Sequence, residues 1–475
     1  MKSTKIKTTL CAFLSLCIFY PALAIVTLPS AISDNMVLQR DLPIKLWGKA
    51  DIDETVSVTL NGQTVKTQTG KDGIWRVQLK AMHYGGPYEI TVKGKNTITL
   101  RNILIGDVWI CSGQSNMEWT VSNSNNAYSE MNNAHYPAIR LLTVHKRVSN
   151  TPLQDTSTSG WELCNPQTVG PFSAVGYFFG RELYRQLDIP IGLVNTSWGG
   201  TIIEPWTSVP MMRTQSDYAE KLDKLPSLDM SGNIGPNDYP SLLYNAMIAP
   251  LTEFPIKGAI WYQGEGNGTE GFKYRTLFPN MITDWRRAWN QGDFPFYFVQ
   301  LASFDGSVFS IPEYAWAELR EAQHLTLRLP NTGEAVTIDI GDTKDIHPRN
   351  KQDVGYRLAL NALSKTYGKN MEYAGPEYQS MKIAGNKIVL TFTHTGDGMS
   401  VKGKYGYLYG FSIAGDDRKF VWAKAHIEGN TVVVYSDEVS RPVAVRYAWL
   451  NDPCDANLYN SAGLPASPFR TDDWK

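Results

Sequence analysis

Cysteine is scarce in this sequence. Only 5 of the 475 residues are cysteine, and two of these, Cys11 and Cys17, lie in an apolar N-terminal run. The others, Cys111, Cys164 and Cys454, can form at most one disulfide, and their spacing matches no zinc site. We therefore expect neither a disulfide-stabilised fold nor a cysteine-based metal site, and the chain shows no clustered ligand set that predicts another metal site.

Net charge is also nearly absent. Lysine and arginine together number 45, against 46 for aspartate and glutamate, so the formal charge is -1. A basic surface is what attracts nucleic acid or an anionic membrane, and we expect neither partner here. Hydrophobic residues make up 43% and charged residues 19% of the chain, which is typical of a globular protein rather than a disordered one.

The sequence lacks an apolar run long enough to cross a bilayer. One short run, residues 10–20, follows Lys2, Lys5 and Lys7 and precedes the small residues Ala-Leu-Ala at 22–24. That order is typical of a secretory signal peptide. We therefore predict that residues 1–24 are a signal peptide and that the mature protein is secreted or periplasmic, without a membrane anchor.

Three regions of the remaining chain differ in pattern. Residues 25–102 alternate apolar and polar residues between short turns, which predicts a small antiparallel β-domain. Residues 103–369 alternate apolar strands with longer helical stretches, which predicts a parallel sheet covered on both faces by helices. Residues 370–475 are strand-like again and predict a C-terminal β-rich region.

The central region contains five predicted strands, and polar residues follow several of them. The strands are residues 102–111, 189–198, 256–263, 294–301 and 333–340. Sites in parallel sheets form beyond the carboxyl ends of the strands. We therefore expect one site to be lined by residues that follow the first, second, third and fifth strands, namely Ser115, Gly199, Gly200, Gln263, Asp345 and His347.

These residue types are the parts of an acyl-transfer site, which needs a nucleophile, oxyanion donors, a base and a partner for the base. Of the seven histidines, His347 follows a strand of the predicted parallel sheet and has a carboxylate two residues before it. Side chains at i and i+2 of an extended loop point the same way. Asp345 can then accept from one ring nitrogen of His347 while the other nitrogen faces Ser115, and Asp342 is a second candidate for that carboxylate.

Each of these residues also has a purely structural interpretation. Ser115 could be the N-cap of the helix that follows it. Asp345 and His347 could be a loop pair that caps the helix beginning near residue 351. The combination of serine, glycine pair and Asp-x-His motif on one sheet edge favours chemistry over these alternatives.

Several stretches of the chain resemble the sialate O-acetylesterase family of SGNH-type hydrolases. They are WICSGQSNMEW, NTSWGGTIIEPW, GAIWYQGEGN, LREAQ, DIHPRNKQDVG and LYNSAGLPASPFRTD. The resemblance implies a cofactor-independent serine esterase on a flavodoxin-like sheet of five parallel strands. It implies that Ser115 is the nucleophile, His347 the base and Asp345 its partner. The implied oxyanion donors are the backbone N–H groups of Ser115 and of Gly199 or Gly200, and the side chain of Gln263.

The expected substrate is an O-acetylated carbohydrate. The resemblance implies an acetylated sialic acid, and acetylated xylan or another plant glycan is the alternative. A catalytically inactive glycan-binding protein is a further alternative of a different class. Aromatic faces suit sugar rings, and a guanidinium suits a sialate carboxylate. The predicted substrate contacts are Trp198, Glu265 and Arg320, with Trp119, Trp206, Tyr262 and Arg349 as further candidates.

Overall fold

The N-terminal part of the chain is built from short strands. The computed structural model describes residues 25–225, 234–307 and 311–474, so the predicted signal peptide lies outside the described residues. β2 pairs with β5, and β3 pairs with β4 and β6, all antiparallel, which confirms the expected N-terminal β-rich region. These strands are β1 (Val37–Gln39), β2 (Ile44–Lys49), β3 (Thr55–Leu60), β4 (Gln63–Gln68), β5 (Ile74–Leu79) and β6 (Gly85–Lys93).

One long strand, β7 (Thr97–Gly113), connects this region to the centre of the molecule. Its first half pairs with β6 and β1, and its second half pairs with two strands of the central sheet. The predicted boundary between residues 102 and 103 therefore falls inside a continuous strand of 17 residues.

The central sheet contains β7 and five strands parallel to it. Across the sheet the order is β13-β12-β11-β7-β10-β8-β9, and only the pairing of β8 with β9 is antiparallel. The added strands are β8 (Tyr136–Thr143), β9 (Glu162–Cys164), β10 (Ile191–Ser197), β11 (Gly258–Tyr262), β12 (Phe296–Val299) and β13 (Thr332–Ala335).

The five predicted strands are all present, but the predicted number of parallel strands is wrong because β8 makes a sixth. β8 was not predicted because Arg140, a charged residue, interrupts its apolar run. The structure buries this arginine, whose guanidinium donates to the backbone carbonyls of Asn35 and Asn102 in the N-terminal region. A charged side chain can occupy a buried strand when backbone acceptors satisfy its donors.

Helices cover both faces of the central sheet, as predicted. Trp109 and Cys111 of β7 share an apolar cluster with α3 and α8, whereas Val108 and Ile110 share one with α6 and α7. Side chains alternate between the faces of a strand, so the continuous apolar run of β7 supplies both clusters. The helices are α1 (Ser115–Glu118), α2 (Ala127–Asn132), α3 (Ala174–Leu187), α4 (Val209–Met212), α5 (Ala219–Asp223), α6 (Gly271–Trp289), α7 (Ala315–His324) and α8 (Lys351–Asn361).

Shorter helical turns connect these elements. Two π-turns cover Tyr244–Ile248 and Ala362–Thr366. Turns of 3-10 type cover Val121–Asn123, Glu204–Trp206, Ser216–Tyr218, Ala249–Leu251, Glu265–Asn267 and Leu325–Arg328. Among the described residues, no helix is both long enough and apolar enough to cross a membrane.

The C-terminal β-rich region is also confirmed. It contains two four-stranded antiparallel sheets around a third apolar cluster that includes Ile413, Val434 and Tyr447. Its strands are β14 (Glu377–Ala384), β15 (Lys387–Thr393), β16 (Met399–Val401), β17 (Phe411–Ala414), β18 (Phe420–Trp422), β19 (Lys424–Glu428), β20 (Thr431–Tyr435), β21 (Ala444–Tyr447), β22 (Leu458–Asn460) and β23 (Phe469–Arg470).

Candidate active site

Ser115 lies immediately beyond the carboxyl end of the central strand β7. The turn depends on Gly113, whose φ is 138° and where a Cβ atom would lie 2.1 Å from the carbonyl oxygen of Tyr262. Only glycine tolerates that conformation and that close approach. Ser115 is the first residue of α1, and the N-cap is Gln114, which makes no side-chain cap. The interpretation of Ser115 as an N-cap is therefore wrong.

The structure brings His347 to Ser115. His347 Nε2 lies 2.9 Å from Ser115 Oγ, although the two residues are 232 positions apart. The helix that follows, α8, is capped by Asn350, whose side chain accepts from the N–H of Asp353. The Asp-x-His motif is therefore not the cap of this helix, and the hydroxyl and imidazole are placed for proton transfer.

Trp119 supports the imidazole from one side. Its ring stacks on that of His347, with centroids 5.0 Å apart and an interplanar angle of 14°. The sequence predicted Trp119 as a possible sugar contact, but this face of its indole is occupied by the imidazole. Stacking restricts the rotation of the His347 ring and so helps to keep Nε2 directed at Ser115.

Of the two candidate carboxylates, Asp345 is the one beside the His347 ring. Its Oδ1 accepts from the backbone N–H of His347 at 2.9 Å and lies 3.7 Å from Nδ1. The second distance is an ion-pair contact and is too long for a hydrogen bond. Asp342 instead accepts from the N–H groups of Lys344 and Asp345, so it stabilises the turn of the loop.

A buried lysine lies beneath the serine and histidine. Lys351 is 0% exposed, and its ammonium donates to Asn116 Oδ1. The amide nitrogen of Asn116 in turn donates to Glu265 Oε1 and to the carbonyl of Ile346. Burial lowers the pKa of Lys351 to about 7, opposed by the charges of Glu265 and Asp345. No pattern in the sequence predicted Lys351 or Asn116 as part of the site.

The electrostatics of the site favour a neutral imidazole. Burial lowers the pKa of His347, the positive charge of Lys351 lowers it further, and the charge of Asp345 opposes both effects. A histidine with a lowered pKa remains unprotonated at lower pH than usual. His347 is thus suited to accept the proton of Ser115.

Gly199 and Gly200 lie beside Ser115 but differ in what they can donate. A Cβ on Gly199 would lie 3.2 Å from Ser115 Cβ, so the loop packs directly against the serine. The N–H of Gly199 donates to Glu118 Oε2 at 2.6 Å, and Glu118 also pairs with Lys146. Gly199 is therefore not available as an oxyanion donor in this structure, because a carboxylate already occupies its N–H.

Gln263 does not occupy the position predicted for an oxyanion donor. Its side-chain nitrogen donates to the carbonyl of Thr201 at 3.2 Å and to Asn267 Oδ1 at 2.8 Å. Its oxygen accepts from the hydroxyl of Tyr274. The residue is 0% exposed, and a buried amide must satisfy its donors within the protein. The predicted role of Gln263 is wrong in this structure, since both amide hydrogens are already used.

Gln114 is a further side-chain donor at the site, and no pattern in the sequence predicted it. Its Oε1 accepts from the N–H groups of Gly264 and Gly266, at 3.3 and 3.0 Å. Two backbone donors at one atom identify that atom as the oxygen, so the NH₂ group lies at the other end of the amide. Among the described residues this NH₂ group donates to no acceptor, and Gln114 lines the same cavity as Ser115. Its position next to Ser115, the predicted nucleophile, was the available signal.

The serine and histidine open into a cavity of about 430 Å³. Glu265, a predicted substrate contact, lies on its wall, and its Oε2 has no hydrogen-bond partner among the described residues. Burial raises the pKa of Glu265. The residues that line the cavity are Gln114, Ser115, Gly200, Glu265, Gly266, Gly268, Thr269, Ile311, Ile346 and His347.

Arg320 lies in the protein interior, so its predicted role as a substrate contact is wrong. It is 0% exposed, and its guanidinium donates to four backbone carbonyls. Two of these, from Leu301 and Ala302, follow β12, and the other two, from Leu450 and Asn451, belong to the C-terminal region. Arg320 therefore links the two regions, and its guanidinium is buried among these carbonyls and does not line the cavity that holds Ser115.

The other predicted contacts differ in exposure. Trp206 and Tyr262 are 0% and 1% exposed and belong to the core, so they cannot face a sugar. Trp198 is partly exposed and lies beneath the ammonium of Lys146, 5.8 Å from the ring centre. Arg349 is exposed, two residues beyond His347.

A serine hydroxyl bonded to an imidazole at the carboxyl edge of an α/β sheet is typical of serine hydrolases. Residues 105–364 match the family described as carbohydrate esterase, sialic acid-specific acetylesterase. Sialate O-acetylesterase of Mus musculus is 34% identical, over 93% of each chain. The Homo sapiens protein is 35% identical, over 93% of this chain and 91% of its own.

A solved structure agrees with these relatives. The crystal structure of a carbohydrate acetylesterase from Xanthomonas citri superposes with a TM-score of 0.87 at 41% identity, covering 95% of this chain and 100% of that one. The chain belongs to the sialate O-acetylesterase family, and it is a carboxylic-ester hydrolase.

Proposed function

We propose that this enzyme removes acetyl groups from sugar hydroxyls through an acetyl-Ser115 intermediate. The observation that carries the proposal is the 2.9 Å contact between Ser115 Oγ and His347 Nε2 at the wall of an open cavity. The family to which the chain belongs supports the acetyl ester as the bond that is cleaved.

The reaction takes place in two halves. Ser115 Oγ attacks the acetyl carbonyl while His347 accepts its proton, and the sugar alcohol then leaves with that proton. Water attacks the acetyl-serine, with His347 again acting as the base, and acetate is released. The carboxylate of Asp345 stabilises the imidazolium that forms in each half.

The oxyanion needs donors that are directed into the cavity. Ser115 begins α1, so its N–H has no acceptor within the helix. Gly200 and the NH₂ group of Gln114 also lie on the cavity wall. We assign the oxyanion hole to these three groups, in place of Gly199 and Gln263.

Two substrate classes follow from different observations. The mouse and human relatives are named for sialate esters, which favours an O-acetylated sialic acid. The interior position of Arg320 removes one of the two cations predicted to bind a sialate carboxylate, which favours a neutral acetylated glycan such as xylan. Glu265 and Trp198 are the proposed substrate contacts in either case, because Glu265 lines the cavity and Trp198 is partly exposed.

The strand order supports an assignment of the fold as well. Numbered along the chain, the five predicted strands lie in the order 2-1-3-4-5 across the sheet, which is the order of flavodoxin-like folds. We assign residues 103–369 to an SGNH-type catalytic domain on this basis. The proposed signal peptide at residues 1–24 assigns the enzyme to the periplasm or the exterior of the cell.

The substitution Ser115→Ala tests the proposal. It should lower acetate release from the preferred glycan by about 10⁴-fold or more, because the nucleophile is lost. The thermal midpoint should stay almost unchanged, since the hydroxyl caps no helix. Ser122→Ala, at an exposed serine, is the matched control and should retain full activity.

Acetate release should be measured on O-acetylated sialic acid and on acetylated xylan side by side. The substrate with the higher kcat/KM identifies the class. Substantial activity of Ser115→Ala would contradict the assigned nucleophile, and no release from any acetylated sugar by the wild type would favour an inactive glycan-binding protein.

A further inference from the structure

The C-terminal region contains an aromatic groove to which the proposed reaction assigns no role. One part is a depression of about 500 Å³ whose walls include Tyr409, Trp422, Leu450, Asp452 and Asp455. A second part, of about 380 Å³, shares Gly410, Trp422 and Leu450 with it and adds Glu313 and Tyr314. We refer to the two together as the C-terminal groove.

Large aromatic side chains stand exposed at this groove. Trp422 is 67% exposed and Tyr409 is 50% exposed, and Tyr407 beside it is 66% exposed. The loop that carries the two tyrosines is held by Asn457, which accepts from the N–H of Tyr409 and donates to the carbonyl of Tyr407. Exposed aromatic faces in a fixed position are suited to stack on the C–H faces of pyranose rings.

The groove also has acceptors for sugar hydroxyls. Asp452 and Asp455 are among the residues of its wall. A carboxylate accepts hydrogen bonds from hydroxyl groups, and such charge-assisted bonds are stronger than neutral ones. A sugar hydroxyl is a donor of suitable size, so the wall combines an apolar stacking surface with a polar contact.

The C-terminal groove begins beside the catalytic cavity. Ile311 lines that cavity, whereas Glu313 lines the groove, and two residues of chain span at most about 7 Å. Asn451 fixes this junction, because its side chain donates to the carbonyl of Pro312 and accepts from the N–H of Trp316. The walls of the two depressions therefore come close together at this segment of the chain.

The charges of the groove select against an anionic ligand. Asp452, Asp455 and Glu313 contribute carboxylates to its walls. Arg446 also lines it, but its guanidinium forms two hydrogen bonds to the carboxylate of Asp472. Like charges would repel a run of sialic acid residues, whereas neutral pyranoses meet no such penalty.

We propose that the C-terminal groove binds the neutral sugar residues that adjoin the acetylated residue in the catalytic cavity. The inference rests on the proposed function, and it makes a glycan chain, rather than a free acetylated monosaccharide, the preferred substrate.

The test compares a polymeric substrate with a small one. Trp422→Ala and Tyr409→Ala should each raise KM for acetylated xylan about three- to tenfold, because a stacking contact is lost. The same variants should leave kcat/KM for 4-nitrophenyl acetate unchanged, since that ester does not reach the groove. Tyr84→Ala is the matched control, because Tyr84 is 55% exposed in the N-terminal region.

Binding is measured separately from hydrolysis. The Ser115→Ala variant should be retarded in a native gel that contains deacetylated xylan but not in one that contains polysialic acid, and Trp422→Ala should abolish the retardation. The groove does not bind neutral sugars if xylan fails to retard Ser115→Ala. The same conclusion follows if Trp422→Ala and the wild type have equal KM values for acetylated xylan. Retardation without acetate release by the wild type would instead contradict the proposed function and leave the groove assignment supported.

Discussion

Asp345 lies beside His347 without forming a hydrogen bond to its ring. Its Oδ1 lies 3.7 Å from Nδ1 while it accepts the backbone N–H of the same residue. Catalytic hydrogen bonds are often long in a ligand-free site and shorten when substrate binds. The carboxylate is thus close enough to stabilise an imidazolium.

We predict that Asp345→Asn lowers kcat by about 10²–10⁴-fold, because the imidazolium loses its anionic partner. The new side chain can still accept the N–H of His347, so the thermal midpoint should change little. Asp342→Asn is the matched control: it keeps the acceptor of the turn and should retain kcat within about threefold. Steady-state kinetics of both variants show which carboxylate stabilises the imidazolium of His347. An inactive Asp342→Asn would assign that role to Asp342.

Lys351 has a second, electrostatic effect at the residue scale. With a pKa of about 7, it is charged in the acidic range where His347 titrates. Its charge helps to lower the pKa of His347, so the imidazole stays neutral at lower pH.

We predict that Lys351→Met moves the acid limb of the kcat/KM profile to higher pH, since the pKa of His347 rises when that charge is removed. Relative to the wild type, the variant should lose more activity in an assay at about pH 5.5 than in one at about pH 8. Lys344→Met, at an exposed lysine of the loop that precedes His347, should leave the acid limb at the same pH. If the acid limb of the kcat/KM profile lies at the same pH in Lys351→Met as in the wild type, the lysine has only a packing role.

At the scale of elements, two glutamines on neighbouring loops have opposite roles. Gln114 follows β7 and lines the cavity, whereas Gln263 follows β11 and connects three elements beneath it. Its partners are Thr201 after β10, Asn267 in the turn after β11, and Tyr274 in α6. Gln114 therefore faces the cavity, where we propose that it donates to the oxyanion, whereas Gln263 holds neighbouring elements together.

We predict that Gln263→Ala lowers the thermal midpoint by about 4–8 °C, because three buried groups lose their partner. Gln114→Ala should instead lower kcat by about 10²–10³-fold, as expected for the loss of an oxyanion donor. Thermal melts and kinetics of the pair test the assignment. A stable Gln263→Ala variant with a purely kinetic defect would restore the original prediction for Gln263.

At the scale of the whole molecule, Arg320 holds the C-terminal region against the catalytic sheet. Its guanidinium satisfies two carbonyls from each side in the protein interior. Burial lowers the pKa of Arg320 to about 9, and the charge of Asp452 opposes this effect.

We predict that Arg320→Met lowers the thermal midpoint by about 5–10 °C, because four carbonyls lose their donor inside the protein. Arg349→Met, at the exposed candidate, should melt like the wild type. Calorimetry of the two variants checks this. An unchanged midpoint combined with a raised KM for sialate esters would show instead that Arg320 contacts substrate.

Local patterns in the sequence determined the elements and predicted the pair of Ser115 and His347, which the structure brings together. The apolar run before Gly113 and the polar stretch after it predicted a strand that ends in a serine. The Asp-x-His motif after the fifth predicted strand predicted a carboxylate and an imidazole side by side at the sheet edge. These predictions depend on residues close in sequence, where periodicity and turn preferences apply.

Only the tertiary structure decided which donors face the cavity. Gln263 and Arg320 have suitable chemistry, but their side chains are turned inward because buried backbone and amide groups need partners. β8 was not predicted for a similar reason. Its buried Arg140 donates to carbonyls that lie 38 and 105 positions away in the sequence. The direction of a polar side chain depends on acceptors that are distant in sequence, and folding alone brings them together.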